Sequence, residues 1–374
     1  MRLTGLSLRH FRNLAAQELD LPPEGFALVG ENAQGKTNLL EAIYYLEVFR
    51  SFRGAPDDQL VAFGEGLFRV SGRLAETGAG AGGCELSAAY QRQGRQKRVK
   101  VDGSQPERLG DAVGRVGAVL FSPADVTLVS GPPGERRRFL DVVLSLNERG
   151  YLAQLQRFRQ SLAQRNTLLR EDEPASVVRA WDEPLVTSGA QVMAARQRWT
   201  REREAAFRCY HAEATGGQEA AMEYEPSLPL EGACSLEEIE QAFRDALQAS
   251  SGRERRMGTT VTGPHRDELG LRLPDENGGL DVRRYGSGGQ RRTVALALRL
   301  VEADTLRSVR GGQPLILLDD VFAELDSGRS ERVLGLLERS NPAQVVLTAP
   351  KESDVRLRRE SLPRWRIEAG RIWS

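Results

Sequence analysis

Near the start of the chain an apolar strand, Phe26-Ala27-Leu28-Val29, runs into Gly30-Glu31-Asn32-Ala33-Gln34-Gly35-Lys36-Thr37, and an apolar helix follows from Asn38 to about Val48. Nothing else in the sequence restricts the fold as strongly, because the turn matches GxxxxGK[ST] between a strand and a helix. Glycines let the backbone curl until several N–H groups point inward at a phosphate, and the helix N-terminus adds partial positive charge. The pattern predicts a phosphate cradle formed by Gly30, Glu31, Asn32, Gln34, Gly35, Lys36, Thr37 and Asn38. Lys36 would reach the β- and γ-phosphates of a nucleotide, and the Thr37 hydroxyl would ligate Mg²⁺.

A second feature far down the chain answers the first. Leu315-Ile316-Leu317-Leu318 reads as a buried strand, and it ends in Asp319-Asp320. Two carboxylates at the C-terminal edge of a sheet have no packing rationale, and such an edge faces the ligand crevice of α/β folds. Asp319 is expected to hold Mg²⁺ through water, since that ion dehydrates reluctantly. Asp320 is expected to orient or deprotonate an attacking water. A third element, Ser287-Gly288-Gly289-Gln290, opens the long apolar helix Arg291 to Arg307; a hydroxyl and glycine amides at a helix start make another anion site.

Between these ends the texture changes. Leu3 to Leu8, Leu67 to Leu74, Cys84 to Tyr90 and Val116 to Phe121 read as strands, and Arg98 to Val101 as a strand entering a tight turn at Asp102-Gly103. Gly78 to Gly83 reads as a loop tip. From Pro133 to about Ser250, Leu, Ala, Arg, Gln and Glu dominate, which predicts a helical insertion. Leu152, Leu155, Phe158 and Leu162 have helical spacing. Strand-like segments return from about Thr259 and close with Val345 to Thr348. The chain thus builds one α/β sheet from both of its ends.

Charge composition excludes little. Lys and Arg total 52, as do Asp and Glu, so a nucleic-acid binder of this balance must segregate its charge onto a face. Basic residues cluster at Arg92 to Lys100, at Arg136 to Arg138 and at Arg253 to Arg256. The three cysteines, Cys84, Cys209 and Cys234, form no CxxC pair and suggest a reducing compartment. The first residues lack the apolar core of a secretory signal, so the cytoplasm is the expected location.

Further segments carry a specific resemblance. Leu6-Ser7-Leu8-Arg9-His10-Phe11-Arg12-Asn13 is similar to the start of SMC-like and RecF ATPases. Phe121-Ser122-Pro123-Ala124-Asp125, Gly131 to Asp141, Gln164 to Leu169 with Trp181-Asp182, and Thr262-Gly263-Pro264-His265-Arg266-Asp267 resemble RecF stretches in order along essentially the whole chain. Ser287 to Gln290 ahead of the acid-ended strand is similar to the ABC signature. The resemblance to the RecF family implies an ABC-type P-loop ATPase head, a mixed sheet flanked by helices, formed by residues 1–122 and 262–374. A helical arm would occupy 123–261.

It also implies a weak ATPase, using ATP and Mg²⁺, that dimerises when the signature closes over the partner subunit's P-loop. Such a dimer would bind gapped DNA or single-strand/double-strand junctions. It would help RecO and RecR load RecA in repair, recombination, replication and the SOS response. Arg12 would lie near the nucleotide, and Glu324-Leu325-Asp326 resembles the D-loop. Departures accompany the match: Thr348 stands where a switch histidine is usual, Asp320 is shorter than the usual glutamate, and no Q-loop glutamine is assignable. Slow hydrolysis is the expected result. A nucleotide kinase would have no use for the signature. A nuclease of the overcoming-lysogenization-defect class needs a domain for which the tail after Asp320 is too short. A transporter subunit fits neither the RecF markers nor the missing histidine.

Overall fold

The computed structural model describes residues 1–75, 82–230, 235–275, 279–321, 327–355 and 362–374. They form two compact units: residues 1–125, 213–216 and 298–374, and residues 126–212 and 217–297.

The chain begins with β1 (Arg2–Arg9), β2 (Gln17–Asp20), β3 (Gly25–Val29), α1 (Lys36–Val48), β4 (Leu67–Ala75), β5 (Gly83–Gln91), β6 (Gln96–Val101) and β7 (Ala118–Phe121). Five of these make an antiparallel sheet in the order β2-β1-β4-β5-β6. Period-two patterning sets its faces: in β4 Phe68, Val70 and Leu74 point into the core, while Leu67, Arg69 and Arg73 are exposed. Asp102 and Gly103 both have positive φ, 49° and 77°, the geometry of a two-residue turn that matches strand twist. α1 has ten of its thirteen residues buried, so it lies inside the unit with no polar face. Phe11, Tyr45 and Phe68 meet edge to face around it, with centroids 5.2 to 6.1 Å apart.

The second unit holds α2 (Val126–Ser130), α3 (Pro133–Asn147), α4 (Tyr151–Arg170), α5 (Ala175–Arg179), most of α6 (Asp182–Thr215), β8 (Ala221–Glu225), α7 (Leu236–Met257), β9 (Glu268–Leu273), β10 (Leu280–Asp281) and α8 (Val282–Tyr285). α7 starts on a reciprocal cap, Ser235 with Glu238, and stops at Gly258 with φ 63°. Its apolar face, Ile239, Phe243 and Leu247, packs with Phe158, Leu185, Val186 and Met193. The stretch expected to be helical contains a strand: β8 alternates buried and exposed residues and pairs antiparallel with β9, giving a sheet in the order β10-β9-β8. Five residues are too few to stand out against long helices on either side. Residues 262–297 fall in the second unit, whereas the resemblance implied that the head resumes at 262.

The remaining elements are α9 (Gly288–Arg310), β11 (Leu315–Asp319), α10 (Ser327–Arg339), β12 (Gln344–Ala349), β13 (Arg364–Glu368) and β14 (Arg371–Trp373). They complete a six-stranded sheet in the order β14-β13-β3-β12-β11-β7, parallel except for β14. Every residue of β3, β11 and β12 is buried, as expected of strands covered on both faces. β3, from the start of the chain, sits between two strands from its end. Gln344 ties the ends further, accepting from Leu3 N at 3.0 Å and donating to Leu3 O and Pro22 O at 2.9 and 2.8 Å.

Candidate nucleotide site

β3 delivers the glycine-rich turn to the edge of the parallel sheet. Ala33 and Gly35 take positive φ, 66° and 116°, so the backbone curls before α1 begins. A side chain at Gly30 would come within 2.5 Å of Ile367 O, which explains the glycine there. Lys36 is buried, and its ammonium donates back across the loop to Gly30 O at 2.7 Å and Glu31 O at 3.0 Å. The side chain of Gln34 serves the loop's support: Oε1 accepts from Ala369 N at 2.6 Å, and its carbonyl accepts from Gly370 N at 3.0 Å. Asn38 donates to Asn13 Oδ1 at 2.7 Å, and Asn13 donates to Ala33 O at 3.3 Å.

The two acids arrive on β11. Asp319 accepts from Thr37 Oγ1 at 2.9 Å and from Thr348 Oγ1 at 3.0 Å. Asp320 takes φ 46°, which aspartate tolerates, and its N–H donates to Thr348 Oγ1 at 3.1 Å. Burial raises the proton affinity of both carboxylates: the Thr37 and Thr348 hydroxyls work against it at Asp319, and Lys36 at Asp320. Asp320 Oδ1 is buried with no hydrogen-bond partner. A hydroxyl and two carboxylates, one with an orphaned oxygen, are a hard-oxygen donor set, the chemistry Mg²⁺ requires. The residues therefore fit the ion.

Arg12 is held from below. Glu41 on α1, with its side chain fully buried, accepts from Arg12 Nε at 2.9 Å and Nη2 at 3.0 Å, and Ser51 donates to the same carboxylate. Arg12 Nη1 also reaches Gln59 O at 3.2 Å. A cavity of about 1040 Å³ adjoins the loop, lined by Asn32, Gly35, Lys36, Thr37, Asn38, Arg12 and Asp320, together with Arg95 and Phe63. Gly30, Glu31, Gln34 and Asp319 are not on its wall; they support it. Sequence reasoning passed over Glu41 and Ser51. The available signal was a carboxylate inside an otherwise apolar helix.

The signature residues belong to the second unit. Ser287 and Gln290 cap α9 reciprocally: Ser287 N donates to Gln290 Oε1 at 2.8 Å, and Gln290 N donates to Ser287 Oγ at 3.2 Å. Gly288 is exposed, with open space where a side chain would stand. Glu324-Leu325-Asp326 lie outside the described residues.

The basic clusters divide on inspection. Arg92 donates to Glu65 O and Asp58 O at 3.0 and 3.1 Å, and Lys97 to Phe49 O at 2.7 Å while pairing with Asp57. Arg136 is buried on Glu268 and three carbonyls of the α2–α3 segment. These brace their own units, whereas Arg98 and Lys100 remain exposed.

A mixed sheet with flanking helices, a cradled lysine and an acid-ended strand beside it define an ABC/SMC-type ATPase head with a helical insertion. The model of the RecF/RecN/SMC N terminal domain matches residues 2–361. The DNA replication and repair protein RecF of Synechococcus sp. (strain JA-2-3B'a(2-13)) is 39% identical over 93% of this chain and 91% of its own length. That of Chloroflexus aggregans is 37% identical over 100% of both. A solved structure of the recombination mediator protein RecF-ATP of the RecFOR pathway superposes with a TM-score of 0.89 at 29% identity, covering 100% of this chain and 97% of that one. The Smc head of Pyrococcus furiosus, 15% identical with a TM-score of 0.56, shares the fold. The chain belongs to the RecF family of DNA replication and repair proteins.

Proposed function

We propose that this chain binds ATP with Mg²⁺ in the cavity above Lys36, and that ATP closes two copies into a homodimer that holds gapped duplexes or strand junctions. Slow hydrolysis then resets it, and in the held state it helps RecO and RecR load RecA. The observation that carries this reading is the meeting of Lys36, Thr37, Asp319 and Asp320 at one sheet edge, with Thr37 and Asp319 separated by 282 positions in sequence and 2.9 Å in space. The solved relative with ATP supports the choice of nucleotide.

The chemistry follows from these side chains. Lys36 is already desolvated, so exchanging the Gly30 and Glu31 carbonyls for phosphate oxygens replaces one set of charge–dipole contacts with stronger charge–charge ones. Thr37 and Asp319 would hold Mg²⁺, which would supply positive charge against the developing phosphate charge. Asp320, with its orphaned oxygen, orients the attacking water and receives its proton. Thr348 has no titratable group and its hydroxyl is engaged by both acids, so nothing at that position adds charge stabilisation; this supports slow turnover. Ser287, freed from its capping role, and the exposed Gly288 would meet the partner subunit's γ-phosphate. ATP then forms the interface, and hydrolysis dissolves it.

The test is titration of a labelled gapped duplex at one salt concentration with ATP, with ADP and without nucleotide. Much tighter binding in ATP is expected; equal binding in all three would mean that nucleotide does not gate DNA capture.

A further inference from the structure

The outward face of the five-stranded sheet carries an arrangement that a free sheet would avoid. Arg9 on β1 lies directly opposite Arg69 on β4, and the same cross-strand row continues through Ala89 on β5 to Arg98 on β6. Like charges directly opposite each other destabilise a sheet. The next row reads Glu18, Ser7, Ser71, Ser87 and Lys100. Arg9, Arg69, Arg98 and Lys100 are all exposed, and among the described residues none of them has an ion-pair partner. Acids on this face stand at the β2 edge, where Glu18 is opposite Ser7, and at the opposite end, where Asp20 pairs with Arg73 and Glu85 stands opposite Arg73.

We propose that this face docks the phosphodiester backbone of duplex DNA through Arg9, Arg69, Arg98 and Lys100. The inference rests on the DNA-binding part of the function proposed above and says where on the chain it occurs. A dense polyanion would relieve the repulsion between Arg9 and Arg69, neither of which is ion-paired among the described residues. Alanine and serines between the cations leave the face low, so a phosphate backbone can approach closely, and the part-exposed Ser7 and Ser71 hydroxyls can supply donors. Spacing favours a duplex over an acidic peptide. The arginine row crosses three strand intervals, about 14 Å at roughly 4.8 Å each, comparable to the ~12 Å major groove that separates two phosphate strands.

The test compares the full-length wild type with the triple variant Arg69→Ala/Arg98→Ala/Lys100→Ala. All three side chains are exposed and away from the nucleotide cavity, so ATP affinity and far-UV circular dichroism serve as controls for folding. Duplex affinity is measured by anisotropy across a salt series. The triple variant should lose about 3 from the slope of log affinity against log salt, and on the order of tenfold to a hundredfold in affinity. Arg69→Lys should keep the wild-type slope. Unchanged slope and affinity in the triple variant, with a wild type that binds DNA, would overturn the surface while leaving DNA binding standing. A wild type that binds no duplex under any nucleotide would overturn both. Displacement of the duplex by poly-glutamate at equal charge would assign the face to an acidic protein and overturn the proposal.

Discussion

The ion pair beneath the cavity offers a quantitative test. Glu41 is fully buried and binds Arg12 through both carboxylate oxygens, at 2.9 and 3.0 Å, while the Arg12 side chain keeps 20% of its surface exposed. Breaking a buried pair by removing one partner costs about 3–5 kcal/mol, whereas replacing both partners with apolar groups is often near neutral. Arg12→Met strands a buried carboxylate. With Glu41 fully buried the penalty should be about 4 kcal/mol. Glu41→Leu should cost less, about 3 kcal/mol, because Arg12 is partly exposed and its guanidinium can turn toward water. The double variant should lie within about 1.5 kcal/mol of wild type, so the coupling energy exceeds about 4 kcal/mol. Equilibrium urea unfolding of the four proteins, compared at a shared slope, measures it. Single variants indistinguishable from wild type, or a double variant equal to the sum of the two, would refute the reasoning.

Other outcomes follow from the same site and from the second unit. Burial, aided by Arg266, Arg137 and Arg196, pushes His265 down to about 4. The folded chain therefore stays unprotonated while the unfolded chain takes up a proton below about 6.5, so about 3 kcal/mol of stability present above that pH is lost as pH falls toward 4. His265→Gln should show that much less acid sensitivity in denaturation midpoints between those pH values, and parallel curves would sink the idea. Lys36→Arg should lower ATP turnover by at least tenfold and weaken nucleotide-dependent dimerisation; steady-state phosphate release and light scattering decide it. Ser287→Arg should keep ATP affinity but lose the ATP-induced dimer, and a normal dimer by sedimentation would exclude a signature acting in trans. Asp320→Asn should bind ATP and remain dimeric because hydrolysis stops; a monomer in ATP would count against its role.

What the sequence revealed and what it concealed divide along physical lines. The glycine-rich turn was legible because its spacing and the apolar runs beside it are local, and Asp319-Asp320 because two acids end a buried strand. Glu41 and Ser51 were not legible: α1 is buried all round, so its pattern has no polar face against which a functional carboxylate could stand out. Arg92, Lys97 and Arg136 read as surface charge, yet their hydrogen-bond partners are backbone carbonyls and acids distant in sequence. The stripe on α4 was read as Leu152, Leu155, Phe158 and Leu162, of which Leu155 and Phe158 are buried and Leu152 and Leu162 half-buried; the buried line runs Tyr151, Leu155, Phe158, Ser161, Arg165 and Leu169. Arg165 sits on it because Glu254, Asp182 and Thr260 converge there, which no local window shows.

The hydrogen bonds from Ala369 and Gly370 to Gln34 have a consequence for biosynthesis. The phosphate turn leaves the ribosome early, but its buttress lies 335 positions later. At roughly 5–20 residues per second the turn waits about 17 to 67 s for that support. β3 likewise emerges long before β12 and β13, the strands that flank it. A nascent chain therefore carries the motif before its support exists, and competence to bind should appear abruptly, once β13 and Ala369-Gly370 have emerged.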